Sequence, residues 1–211
     1  YFIFSLPFIY LIVLWGGIIP PRDALGRGVG NKLFFYHLGY ALTIVAFYLL
    51  PLLLFKSENL LKLIKNFFSQ RKSHYLISAF LIYLIYLLFF HDYSEESLLG
   101  KGFIHKTAIL FFQDILFQKL FIYLSFFFSW IVILIYLSDS IKNKLILSYF
   151  FLLSIAVFPL MQEYFDPLII LMAFTFFDTK FFLNYKKTIF LYSYLSVLLI
   201  FSNIYYYNLI N

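Results

Sequence analysis

Three short polar clusters interrupt an otherwise apolar sequence, and they hold most of the residues that could do chemistry. The first cluster, residues 15–32, is rich in Gly and Pro and carries Arg22. A guanidinium at a membrane surface can hold a phosphate through two parallel hydrogen bonds, although it can equally serve as an interface anchor. His37 follows one turn into the next apolar segment. Because ionisable groups within membrane spans usually face a bundle interior or a cavity, we expect either a role in a site or a structural hydrogen bond.

The second cluster combines His91 with Lys101, His105 and Lys106, the last three on a turn flanked by Gly. These cationic and imidazole groups would suit a phosphate attached to a lipid. We expect no cofactor. The alternative is a divalent metal held by the two histidines and the three carboxylates of residues 92–96. The plain alternative is a solvated loop followed by an interfacial helix near residues 104–118.

The third cluster, residues 162–167, places polar groups in a very short turn between apolar segments. Polar groups at membrane depth are costly, which favours a functional role for Gln162 and Glu163 in binding sugar hydroxyls or a phosphate. Asp166 is expected to cap the next helix, with Pro167 at its first position. Nothing in the sequence fixes which carboxylates converge, so the catalytic base stays unassigned.

The composition identifies the class of protein. Of 211 residues, 64% are hydrophobic and only 12% are charged, about half the charged fraction of a soluble domain. The mean hydropathy is +0.91. Cysteine is absent, which excludes disulfides and thiolate metal sites. We therefore expect an integral membrane protein in contact with the lipid bilayer. Because the chain opens at Tyr1 inside an apolar run, we also expect it to be the C-terminal part of a longer chain.

The apolar runs predict an all-α, polytopic transmembrane helical bundle of about six to seven spans, forming a single domain over residues 1–211. A span needs roughly 20 apolar residues. Residues 145–177 favour two spans joined by a tight turn, with one broken helix as the alternative. The predicted segments are 1–14, 33–55, 75–90, 119–137, 145–160, 165–177 and 188–207.

The charges of the connecting loops predict the orientation. Loops 56–74, 138–144 and 178–187 carry ten basic and three acidic residues, a net charge of +7. Loops 15–32, 91–118 and 161–166, taken with the adjoining Lys119, carry six basic and seven acidic residues, a net charge of −1. Since Lys and Arg stay preferentially on the cytoplasmic side, the first set is predicted to be cytoplasmic and the second extracytoplasmic. The basic excess is thus topological, and no nucleic-acid partner is expected.

The cytoplasmic segment 58–72 has an apolar helical stripe and lysines elsewhere, with Lys62 and Lys65 among them. That pattern is typical of a helix lying in the membrane interface with its lysines near anionic headgroups. A solvated connector is the alternative.

Four stretches carry a resemblance to a known family, and they are "WGGIIPPRD", "YHLGYALTIVAFYLLPLL", "FFHDYSEESLLGKGFIHK" and "FPLMQEYFDPLIILMAF". In this order they resemble the C-terminal half of membrane-embedded GT-C glycosyltransferases, most closely the terminal α-1,2-glucosyltransferases of the lipid-linked oligosaccharide pathway and their bacterial relatives. The resemblance implies transfer of a sugar from a polyprenyl-phosphate-linked donor to a glycan or lipid-linked acceptor on the extracytoplasmic face.

The same resemblance implies a catalytic carboxylate in an earlier extracytoplasmic loop, upstream of Tyr1. We expect the donor to be bound within one polar pocket, and the candidate residues are Arg22, His37, His91, Lys101, His105, Lys106, Gln162 and Glu163. Two other classes of function stay open. One is a transporter or flippase subunit, and the other is a non-catalytic membrane assembly protein.

Overall fold

The structure, a computed structural model, describes residues 10, 13, 33–55, 60–91, 101–137, 140–157, 160, 162, 165–177 and 184–210. Within these residues every regular element is helical and none is a strand, which confirms the all-α class. Arg22 and Glu163, like most of segment 1–14, lie outside the described residues. The chain divides into two compact units, Tyr1–Phe34 and Phe35–Asn211, and all the helices named below belong to the second.

Eight α-helices are described in this second unit. They are α1 (His37–Phe55), α2 (Leu60–Ser69), α3 (Arg71–Phe90), α4 (Gly102–Phe111), α5 (Ile115–Leu137), α6 (Ile141–Ala156), α7 (Asp166–Thr175) and α8 (Tyr185–Ile210). Each predicted span from 33–55 onward coincides with one of these helices, with ends that differ by a few residues. Of the remaining two, α2 lies within the segment 58–72 and α4 overlaps the segment 104–118.

Helix α1 lies at the centre of the second unit. Its residues 39–46 and 48–49 are buried, and it packs against α4, α5, α6, α7 and α8. A helix that is apolar on all sides lies either in a protein core or against lipid, and for α1 the neighbouring helices supply the cover. The side chains that project from α1 therefore point into contacts between helices.

Helices α3 and α5 are long and apolar enough to cross a membrane. The qualifying stretches, Arg71–Phe90 and Ile115–Tyr136, have mean hydropathies of 1.9 and 2.0. At about 1.5 Å per residue each covers about 30 Å, the thickness of a hydrocarbon core. Only 17% and 39% of their apolar windows are buried, whereas the core helix of a soluble protein would be mostly buried. Their exposed apolar faces therefore suit contact with lipid.

These two helices run antiparallel, and an aromatic pair holds them together. The indole Nε1 of Trp130 donates to the carbonyl oxygen of Leu76 over 3.1 Å, and the Trp130 ring stacks on Phe80 with centroids 5.1 Å apart. At the other end of the pair, the Tyr123 hydroxyl lies 3.5 Å from the carbonyl oxygen of Leu87. The first residue of α3 and the last residue of α5 therefore lie at the same end.

Residues 141–175 form two separate helices. Helix α7 has ten residues and covers about 15 Å, half of a hydrocarbon core. Pro167 lies in its first turn, as the sequence predicts. Asp166, expected as the cap, is the first residue of α7, and the cap position falls on Phe165. Phe177, just beyond α7, contacts Tyr136 near the end of α5. The chain thus returns to the end at which α5 finishes.

Candidate functional site

One face of α1 organises the candidate site. Tyr36, Tyr40, Ile44 and Tyr48 follow one another at four-residue steps, a spacing that aligns side chains along one side of a helix. Tyr36 lies immediately before the helix and the other three lie within it. The predicted site residues that contact α1 do so along this face, which we call the tyrosine face.

Tyr36 brings two of the predicted histidines together. Its ring stacks on His91, with centroids 4.5 Å apart and planes inclined at 26°. It also meets the ring of His37 edge-on at 4.6 Å. The Nδ1 atom of His91 lies 3.2 Å from the hydroxyl of Tyr123 on α5. The first residue of α1 and the residue that follows α3 are thereby placed beside one aromatic ring.

Tyr40 brings in the third histidine. Its hydroxyl lies 3.3 Å from Nδ1 of His105, and the two rings are perpendicular with centroids 5.7 Å apart. The Tyr40 ring also packs edge-on against the Phe126 ring, with centroids 5.0 Å apart. His105 and His37 are both buried. Imidazole and phenol groups in this arrangement can exchange hydrogen bonds with phosphate or hydroxyl oxygens.

Lys101 lies directly before α4. Its backbone N–H donates to the carbonyl oxygen of Leu160 over 2.7 Å, and its side chain is only 2% exposed. Both Lys101 (φ 64°) and Gly102 (φ 69°) adopt the left-handed conformation. A left-handed residue other than Gly costs roughly 1–2 kcal/mol, so the surrounding structure holds Lys101 in place against that strain.

Gly102 lets the start of α4 approach α1 closely. A side-chain carbon at this position would lie 2.9 Å from Cγ1 of Ile44 and 3.3 Å from Oε1 of Gln162. The next residue, Phe103, packs its ring against Phe47 at 5.6 Å. Ile44 is seven residues beyond His37, so α4 begins about 10 Å inside the bundle. The interfacial helix expected near 104–118 is in fact a ten-residue helix packed against the middle of α1.

Gln162 links three parts of the chain through its side-chain amide. Its Oε1 atom accepts from the backbone N–H of Phe103 over 2.9 Å, and its Nε2 atom donates to the Tyr48 hydroxyl over 3.2 Å. The first bond satisfies one of the N–H groups that a helix start leaves without an intrahelical partner. An amide has two acceptor lone pairs and two donor hydrogens, so these bonds use half of its capacity. Gln162 therefore positions α4 and still has the capacity for a further contact.

The candidate residues are thus distributed as follows. The structure places His37, His91 and His105 around Tyr36 and Tyr40, and it places Lys101 and Gln162 at the start of α4. Lys106 is half-buried in α4, next to His105. Arg22 and Glu163 lie outside the described residues, as do the carboxylates of residues 92–96. In the described part of the chain, no group of three or more His, Asp or Glu side chains is placed to hold a metal ion.

The tyrosines of the candidate site were not predicted from the sequence. Tyr36, Tyr40, Tyr48 and Tyr123 each contact one of the predicted residues, yet none was singled out. The available signal was the four-residue spacing of tyrosines on either side of His37. It was hard to distinguish because the chain contains 19 Tyr and 31 Phe residues.

Comparison with known proteins identifies no relative of this chain. No protein-family model, no curated protein and no solved structure matches the chain.

Proposed function

We propose that this chain belongs to a membrane-embedded glycosyltransferase that uses a polyprenyl-phosphate-linked sugar as donor and a glycan or lipid-linked molecule as acceptor. One observation carries the proposal. Three separate stretches of sequence, which contain His91, the Lys101–His105 turn and Gln162, contact the tyrosine face of α1, and His37 lies beside Tyr36 at the start of that face. Such convergence of polar groups within an apolar bundle is costly unless the groups serve a purpose.

The chemistry of these groups fits a phosphate-linked sugar. Transfer of the sugar leaves negative charge on the departing lipid phosphate, which cations and hydrogen-bond donors stabilise. Lys101 carries an amine that is shielded from solvent, and His105 lies one turn further along α4. The remaining hydrogen-bonding capacity of Gln162 suits a sugar hydroxyl. In this proposal these residues bind the donor, and none of them is assigned as the base that deprotonates the acceptor.

The proposal includes a multi-pass topology of six or seven spans. Arg71 and Lys72 begin α3, and Lys142 and Lys144 lie in the first turn of α6, which follows the end of α5. Because α3 begins where α5 ends, these four bases lie at one end of the helices. The excess of Lys and Arg makes that end cytoplasmic. His37 and His91 then lie toward the extracytoplasmic end.

The test is a transfer assay on membranes that contain the complete protein. The substrates are a radiolabelled polyprenyl-phosphate sugar and a lipid-linked glycan acceptor. A hydrogen bond to a charged group contributes about 1.5–3 kcal/mol, so His105→Ala should lower kcat/KM by about 10- to 100-fold. Gln162→Ala should also impair transfer. The matched control is His74→Ala. His74 is exposed and lies in the first turn of α3, at the opposite end of that helix from His91, so this variant should transfer sugar at the wild-type rate. Full activity in both site variants would overturn the proposal.

A second candidate is a transporter or flippase subunit, and one observation favours it. Helices α4 and α7 are both ten residues long, and the segment before α7 is hydrogen-bonded to the start of α4 beside the middle of α1. Short helices that end within a bundle are typical of transporter binding sites. Vesicles that move a lipid-linked sugar across the bilayer without transferring the sugar would favour this candidate over the enzyme.

A further inference from the structure

Helix α2 carries an exposed apolar edge beside exposed lysines. Phe67 is buried and Ile64 packs against the core, so one side of the helix is attached to the bundle. Leu61 and Phe68 lie on the adjoining side, where they are 73% and 41% exposed. At 100° per residue, Lys65 borders this exposed edge directly. The apolar arc of α2 is therefore wider than the part that the bundle covers.

Four exposed bases follow one another along this short stretch. Lys62 and Lys65 lie on α2, and Arg71 and Lys72 begin α3 directly after it. Residues 60–91 contain no acidic residue that could neutralise them. A basic patch alone would suit many anionic partners. The exposed Leu61 and Phe68 beside it favour a surface that is anionic outside and apolar just beneath, which is the interface of a lipid bilayer.

We propose that α2 lies in the cytoplasmic membrane interface and that Lys62, Lys65, Arg71 and Lys72 bind the headgroups of anionic phospholipids. Leu61 and Phe68 reach the boundary between headgroups and acyl chains. The proposal rests on the proposed membrane location of α3 and is independent of the proposed sugar transfer. Each base near an anionic surface favours binding by about fivefold, so neutralising two should weaken the preference for anionic lipid by about 25-fold.

The experiment places a fluorescent reporter on the exposed edge. The complete protein with Phe68→Trp is reconstituted in nanodiscs of phosphatidylcholine and phosphatidylglycerol, in which one lipid or the other carries brominated acyl chains that quench tryptophan. Protein with the native Phe68 supplies the background from Trp15 and Trp130. We expect both brominated lipids to quench the fluorescence of the introduced tryptophan, and brominated phosphatidylglycerol to quench it more strongly at equal mole fraction. Raising the salt to about 1 M should reduce the difference, because it shortens the screening length to about 3 Å.

Two matched double variants test the lysines. Lys62→Gln with Lys65→Gln should remove most of the preference for brominated phosphatidylglycerol, whereas Lys186→Gln with Lys187→Gln, which removes the same charge from the start of α8, should keep it. Equal quenching by both lipids in the parent, no quenching by either, or an equal loss in the two double variants would each overturn the proposal. The Lys62/Lys65 variant should retain wild-type sugar transfer in detergent. Failure of the transfer assay alone would overturn the proposed function and leave the lipid site standing.

Discussion

Replacing Gln162 by Ala should destabilise the protein, because the side-chain amide joins α1, α4 and the segment before α7. The change removes the acceptor for the Phe103 N–H and the donor to the Tyr48 hydroxyl. Tyr48 is 4% exposed, so water does not readily replace the lost partner. Removing the partner of a buried polar group costs about 1–3 kcal/mol, and we expect the loss of both hydrogen bonds to lower the free energy of unfolding by about 2–4 kcal/mol.

Thermal unfolding in detergent, followed by circular dichroism, measures this loss. For a chain of this size 1 kcal/mol shifts Tm by about 2–4 °C, so Gln162→Ala should lower Tm by about 5–15 °C. Gln162→Glu is the matched control. Its carboxylate can still accept from the Phe103 N–H and from the Tyr48 hydroxyl, and negative charge is favourable at the start of a helix. The Glu variant should therefore lose less stability than the Ala variant.

A double-mutant cycle with Tyr48→Phe isolates the contact between the amide and the phenol. If the hydrogen bond stabilises the fold, the two changes together should cost about 1 kcal/mol less than the sum of the single changes. An unchanged Tm in Gln162→Ala, or strict additivity in the cycle, would refute the argument that this amide holds α4 in place.

Two further changes test the close approaches to α1. A Cβ atom at Gly39 would lie 2.2 Å from the nearest atom of the Phe126 ring, so Gly39→Ala should cost about 1–3 kcal/mol in the same unfolding measurement. Adding Phe126→Leu should recover part of that loss, and a double variant no more stable than the sum of the singles would contradict the packing argument. Gly102→Ala should cost roughly 1–2 kcal/mol, because the residue is left-handed and faces Ile44. A higher Tm in this variant would show that the turn relaxes freely.

The apolar runs predicted the helices well because hydrophobic segments of this length have few alternatives to helix. The boundaries were less accurate where polar residues lie close to a run. Helix α5 begins at Ile115, four residues before the predicted span. The signal was Asp114, whose Oδ1 atom accepts from the backbone N–H of Leu116 over 2.7 Å in the manner of a helix cap. Because Asp114 was assigned to a long extracytoplasmic loop, its capping role went unnoticed.

Most of the candidate residues were chosen because they are polar in an apolar chain. The structure places four of them, His37, His91, His105 and Gln162, on or against α1. The criterion says nothing of partners. No pattern in the sequence pairs Gln162 with Phe103, since the bond depends on how deeply α4 enters the bundle. That depth follows from a left-handed turn at Lys101 and Gly102, and a Lys in that conformation has no sequence signature.

The rotation of α1 about its own axis connects the packing of the bundle to the site. Successive residues of a helix are separated by a rotation of 100° about its axis. The tyrosine face therefore meets the histidines and Gln162 only if the rotation of α1 about its axis is fixed to well within that angle. Gly39 and Phe126 supply that constraint, because the ring occupies the space in which any side chain at position 39 would project. The Gly39 N–H also donates to the hydroxyl of Tyr83, which in turn donates to the carbonyl oxygen of Phe35. Gly39→Ala should therefore reduce the proposed sugar transfer as well as stability, although residue 39 carries no side chain to touch a substrate.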